Sequence, residues 1–137
     1  MKIMLSAIGL LAMIVPGQAR TAMLTDAEAT FLDQLVIAAA VVEQRCAGYE
    51  ANGTGAVQAG ARLLGSTDAA IAMINAFDAA IKAHDGADYD PARFRPEVFD
   101  VAAKRARRLK ADLIRNPKAS CAEHGDASVA RGLLRRY

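Results

Sequence analysis

The sequence predicts an all-α protein, a compact bundle of four to five helices closed by one disulfide, and three observations carry that expectation. Apolar residues recur at steps of three and four along most of the chain, the period of a helix buried on one side. Aromatic residues make up only 5% and tryptophan is absent, so the core must be built from aliphatic side chains and close-packed alanine, a composition that favours helices. No stretch alternates apolar and polar residues as a half-buried strand would, and the two cysteines, Cys46 and Cys121, allow a single intramolecular bridge.

A segment of another kind precedes the first helix. Lys2 is the only charge ahead of Arg20, and Ile3 to Val15 is apolar apart from Ser6 and Gly9. Pro16 and Gly17 end the run, and small residues at Gly17 and Ala19 supply the positions that signal peptidase reads. Residues 1–19 are therefore expected to be a cleaved secretory signal and residues 20–137 a single helical domain. The apolar run of 13 residues is shorter than the roughly 20 that a membrane span requires. Export gives the cysteines their meaning, because an oxidising compartment favours their pairing. The loop so closed, about 75 residues, corresponds to roughly 4 kcal/mol of chain entropy removed from the unfolded state.

The elements follow in order. Thr25 and Glu28 form a capping box ahead of an apolar line through Phe31, Leu35, Ala38, Val42 and Cys46, ending near Gly48. Ala51 to Gly55 reads as a loop, followed by a short helix from about Ala56 to Leu64, with Leu63 and Leu64 inward and Gly65 as its stop. Ser66 or Thr67 caps a third helix with Asp68 near its positive end and Ile71, Ile74, Phe77 and Ile81 as its buried line. The connection from Asp85 to Pro96 is the longest, and Tyr89 and Phe94 are placed to pin it to the body. Pro96 opens a fourth helix to Arg115 with Phe99, Ala102, Ala106, Leu109 and Leu113 on one face. After Asn116-Pro117 come a turn or short helix carrying Cys121, then Gly125, then a last helix capped by Asp126 with Val129, Leu133 and Leu134 inward.

Charge is distributed unevenly. Residues 20–90 hold four Lys or Arg against ten Asp or Glu, a net of −6, whereas residues 91–137 hold twelve against five, a net of +7. Lys104, Arg107, Arg108, Arg115, Arg131, Arg135 and Arg136, with Arg105 and Lys110, are the candidate surface for an acidic protein partner or for anionic lipid headgroups. The opposing expectation is a solvated face whose charges are answered by the acidic half of the same fold, beginning with Asp100 and Lys104 at i, i+4. Export and the lack of interleaved aromatics argue against nucleic acid as a partner.

No residue pattern calls for a cofactor or metal. Cys121 and His124 give a C-x-x-H spacing, but one such pair cannot supply four zinc ligands, and no C-x-x-C-H haem attachment sequence is present. Ser66, Ser120 and Ser128 lack a nucleophile-elbow setting, and the glycines between Gly53 and Gly65 lack the Lys and Ser/Thr of a phosphate loop. The expected function is that of a small periplasmic or secreted non-enzymatic protein acting by binding another protein, in an inhibitor, immunity-type or stress-chaperone role. One alternative is a carrier of small apolar ligands with a pocket lined by Phe31, Phe77 and Phe99. A second is a small envelope-polymer hydrolase built on paired carboxylates.

Overall fold

Thr25 opens the first helix as its spacing predicts. Its hydroxyl accepts from the Glu28 N–H at 3.1 Å, and the Glu28 carboxylate accepts from the Thr25 N–H at 3.0 Å, satisfying two amides that have no partner inside the helix. In this computed structural model, which describes residues 23–137, the helix, called α1, has three parts. It is α-helical over Asp26–Leu35, π-helical over Val36–Val42 and α-helical again over Glu43–Arg45. The expected signal segment, residues 1–19, and its cleavage site after Ala19 lie outside the described residues.

The π stretch changes which side chains α1 buries. Backbone amides there reach five residues back, as from Glu43 to the Ala38 carbonyl, so each turn holds an extra residue and the side chains beyond Leu35 are re-phased. The line Phe31, Leu35, Ala38, Val42 and Cys46 is buried as expected, and Leu32, Val36, Ile37 and Val41 are buried with it. A stretch of helix with no polar side chain, as Val36–Val42 is, belongs in the middle of a fold. Accordingly α1 packs against all four of the helices that follow. It ends at Arg45 rather than near Gly48, because Cys46 is already extended.

A short sheet follows where the sequence gives no strand pattern. Strand β1, Tyr49–Ala51, pairs antiparallel with β2, Leu134–Arg136, setting Tyr49 opposite Arg136, Glu50 opposite Arg135 and Ala51 opposite Leu134. Three residues are too few to display a period of two. The second strand also corrects the end of the chain: Leu133 and Leu134 are buried, but they reach the core from extended chain beyond Gly132 rather than from a helix.

Helix α2, Gly53–Leu64, begins three residues before the expected Ala56, because the Asn52 side chain accepts from the Gly55 N–H at 3.0 Å and caps the chain at once. Helix α3 spans Thr67–His84, with the Ser66 hydroxyl accepting from the Ala69 N–H at 3.1 Å. Its buried line differs from the expected one: Ala70, Met73, Ala76, Phe77 and Ala80 face inward, Ile74 and Ile81 are half-buried, and Ile71 is 42% exposed. The reason is close packing of small residues. A methyl placed on Gly60 of α2 would stand 2.5 Å from the Phe31 ring and 2.7 Å from Ala70 Cβ, so the glycine and the alanines, not the isoleucines, form the seam. Leu63 is partly exposed and Leu64 half-buried for the same reason, while Ala59 and Gly60 are the buried residues at this contact.

Helix α4, Pro96–Arg115, has the bounds its sequence predicts and buries Val98, Ala102, Leu109 and Leu113. Helix α5, Pro117–Ala130, is one continuous helix where the sequence reads as two pieces. Gly125 lies inside it and does not break it, because the Tyr49 ring packs directly on that glycine and leaves no room for a side chain. The expected bridge is formed: Cys46 and Cys121 are joined with their Cα atoms 5.7 Å apart and 75 residues between them in sequence. It ties the end of α1 to α5. Among the described residues no helix is long and apolar enough to cross a membrane.

Two stability measurements test this packing. Gly60→Ala should lose about 1 to 3 kcal/mol in urea unfolding, whereas Gly53→Ala, with open space around it, should stay within about 0.5 kcal/mol of the parent. Equal midpoints for the two variants would contradict the α2–α3 seam. Replacing Cys46 and Cys121 together by Ser should remove about 2 to 4 kcal/mol, and an unchanged unfolding midpoint would show that the bridge adds nothing to the fold.

Candidate functional site

The sequence brings nine cations forward as a candidate surface, and the fold divides them. Arg105 pairs with Asp33 of α1, Arg115 with Asp112, Arg136 with Asp126, and Arg135 with Glu50 at 3.0 Å. Arg136 also stands over the Tyr49 ring, 5.8 Å from its centre, and the Tyr49 hydroxyl donates to Asp126 at 3.3 Å. These four arginines meet carboxylates of the same fold, Arg105 half-buried and the other three at the surface. Lys104, Arg107, Arg108, Lys110 and Arg131 make no ion pair among the described residues, and all but the half-buried Lys110 are exposed. Asp100 does not pair with Lys104 as the spacing allowed, and Glu97 pairs instead with Arg95 at 3.0 Å.

Three of the unpaired cations, Lys104, Arg107 and Arg108, share the outer side of α4 with apolar groups, whereas Lys110 edges the cleft described below and Arg131 lies apart, at the end of α5. Val101, Lys104 and Arg108 follow one another at three and four residues, and Arg107 and Ile114 at seven, so they stand along one side of the helix. Val101 is 41% exposed and Ile114 79%. The outward face therefore carries Lys104, Arg107 and Arg108 with the exposed Asp100 among them, and apolar residues stand at its edges.

Beside this face lies a cleft of about 90 Å³ between the π stretch of α1, the last turns of α3 and the middle of α4. Its walls are Val36, Ala40, Phe77, Ala80, Ile81, Phe99, Ala102, Ala103 and Ala106, and its polar edge is formed by Gln44, His84, Asp85, Arg107 and Lys110. Alanine creates the space: four of the wall residues on α3 and α4 end at Cβ, where larger side chains would close it. Phe99 is fixed by a run of rings, standing 6.5 Å from His84 and 5.8 Å from Phe94, which in turn stands 5.3 Å from Tyr89. In this way the long connection between α3 and α4 is held against the mouth of the cleft.

Of the three aromatics expected to line a pocket, Phe77 and Phe99 come together here and Phe31 does not. Phe31 is fully buried on the far side of α1, filling the space left by Gly60. The alanine walls and His84 were not foreseen. The signal the sequence offers for the walls is the clustering of Ala102, Ala103 and Ala106 one and two turns after Phe99 on α4. A second depression, about 280 Å³, opens between α1, α3 and the start of β2 over Leu35, Ala38, Ile74, Phe77 and Leu134. Its acids are engaged: Glu43 accepts from the Ala51 N–H at 3.0 Å and Asp78 pairs with Lys82 at 3.0 Å.

Most side chains with nucleophilic potential are tied to structural tasks. Ser66 caps α3, Ser120 donates to the Asp112 carbonyl, and Ser128 is 1% exposed with no hydrogen-bond partner among the described residues. Cys121 is consumed by the disulfide, which removes it from the C-x-x-H pair with His124. Among the described residues no three His, Cys, Asp or Glu side chains gather as metal ligands. Glu28 is held below the usual glutamate range, chiefly by the Thr25 backbone N–H and further by Arg95, against a smaller opposing effect of burial. That is the opposite direction from a general acid. Arg95, which bridges Glu28 at 3.2 Å and Glu97 at 3.0 Å, is raised: burial works against its charge, and the two carboxylates outweigh it.

Comparison of the chain with family models, with curated proteins and with solved structures finds no match.

The Glu28 contact makes a pH prediction. A carboxyl whose pKa is lowered on folding stabilises the protein above its ordinary value of 4.5, and that contribution is lost as pH falls through the lower, folded value. Glu28→Gln keeps a capping side chain and removes the charge. The variant should be less stable than the parent at pH 7, and the difference should shrink as pH is lowered from about 5 toward 2. A difference that is constant over that range in thermal unfolding would contradict the assignment.

Proposed function

We propose that the protein is a non-enzymatic periplasmic or secreted binding protein, and that it works by docking the outward face of α4 on an acidic protein partner. One observation carries the reading. The fold answers Arg105, Arg115, Arg135 and Arg136 with carboxylates of its own and leaves Lys104, Arg107 and Arg108, side by side on one helix, without any among the described residues. Cations that stabilise nothing inside the fold keep their full field for an incoming partner, steering its approach and selecting its charge. The exposed Val101 and Ile114 at the edges add the apolar contact that charge alone does not supply.

Other features agree with this reading. A domain cross-linked by its two cysteines suits an oxidising compartment, as the apolar segment at residues 3–15 also does. The α4 face sits on a rigid element, packed on α1 and α3, so it is presented without a large ordering cost on binding. Inhibitor, immunity-type and stress-chaperone roles all belong to this class.

The test is charge reversal. Lys104→Glu, Arg107→Glu and Arg108→Glu combined should leave the helical content and unfolding midpoint nearly unchanged, since none of the three is buried or paired. The same variant should lose at least tenfold in affinity for the acidic partner recovered with the parent protein from its host's envelope, and the parent's binding should weaken steeply with salt. Retention of that partner by the triple variant, at an affinity indifferent to salt, would remove the α4 face from the function.

A further inference from the structure

We infer that the cleft beside α4 receives one apolar side chain of the partner, so that the recognised element is a short acidic segment with a single aliphatic anchor such as Leu. The inference rests on the docking surface proposed above and adds the chemistry of what docks there. Size decides first. Pockets for small organic ligands run from roughly 300 Å³ upward, whereas this cleft holds about 90 Å³. That suits the end of one side chain.

The lining decides next. Phe77, Phe99 and the alanines of α3 and α4 make an apolar floor, while Arg107 and Lys110 stand at the edge and join the cleft to the basic face. The acid at this edge, Asp85, already faces His84 at 3.3 Å. A segment that sets an apolar side chain into the floor therefore carries its flanking residues past Arg107 and Lys110, and carboxylates there meet charges that have no partner within the described fold. An apolar anchor in a pocket with a charged surround is the arrangement in which interfaces concentrate their affinity. The walls are also stiff: the Phe99 ring is wedged between His84 and Phe94, and Val36 and Ala40 belong to the buried helix at the centre of the fold, so little has to be ordered when the anchor enters.

The experiment compares two labelled peptides composed of Asp, Glu and Gly, one with a central Leu and one with Ala in its place, titrated with the disulfide-intact protein at low salt. The Leu peptide should bind at least tenfold more tightly. That advantage should vanish in Ala106→Leu, which fills the cleft without touching a charge, while binding of the Ala peptide is unchanged. Ala103→Leu serves as a second filled variant, with helical content checked for both, and ring-proton shifts of Phe77 and Phe99 on adding the Leu peptide give a readout that needs no substitution. Equal affinity of the two peptides, with both lost in the Lys104/Arg107/Arg108 reversal, would overturn the anchor and leave the basic docking surface standing. Failure of both peptides to bind the parent protein would overturn the anchor and the docking surface together.

Discussion

The structure depends on the burial of one helix on nearly every side. From Val36 to Val42 α1 offers water nothing polar, since the run Val-Ile-Ala-Ala-Ala-Val-Val has no charged or hydrogen-bonding side chain. At roughly 25 cal/mol for each Å² of apolar surface removed from water, such a segment is stable only when other elements surround it. The remaining helices do so, and each is fitted to that task by local chemistry: Asn52, Ser66 and Pro96 start α2, α3 and α4, and Gly60 and Gly125 stand where a neighbouring side chain leaves no room for a Cβ. The bridge from Cys46 to Cys121 then fastens the end of the central helix to α5, and the β1–β2 pair closes the chain over it.

The same arrangement sets the electrostatics. The acidic first half and basic second half are brought side by side, so Asp33 meets Arg105 and Glu50 meets Arg135 across long stretches of sequence. Exposed pairs of this kind stabilise little, typically below about 1 kcal/mol each. Their larger effect is subtraction. They pair off four of the nine candidate cations, and of the five that remain, four, Lys104, Arg107, Arg108 and Lys110, lie on α4 beside the alanine-walled cleft. The π stretch of α1 shares in this, because its re-phased turn places Val36 and Ala40 on the wall of that cleft and Ala38 and Ala39 on the depression beyond.

Local signals carried much of the fold. The capping box at Thr25, the Ser66 cap, the Pro96 start and the Asn116-Pro117 break are short-range chemistry, and the elements they bound are where the sequence places them. The bridge was legible because two cysteines allow one pairing. Other features depend on contacts made at a distance. Nothing in an uncharged apolar run distinguishes a π turn from an α turn; that Gly125 continues a helix depends on Tyr49, far away in sequence; and strands of three residues are made by each other's company. The candidate surface was visible as an excess of Lys and Arg, but which of them are answered was not, since Arg105 and Arg135 find their acids only after α1 and β1 are in position. Phe31 was misplaced for a related reason: helical spacing gives the buried side of α1 but not which neighbour that side meets.

The most direct measurement is lysine-directed cross-linking of the unreduced protein in its host's envelope fraction, read by mass spectrometry. Residues 20–137 contain four lysines, Lys82, Lys104, Lys110 and Lys118, and two of them, Lys104 and Lys110, mark the basic face and the cleft. The account predicts links from Lys104 and Lys110 to acidic segments of one partner, with Lys82 and Lys118 unreacted toward it. Links confined to Lys82 or Lys118, or a protein recovered with Lys104 and Lys110 modified only by dead-end reagent, would contradict a function carried by α4.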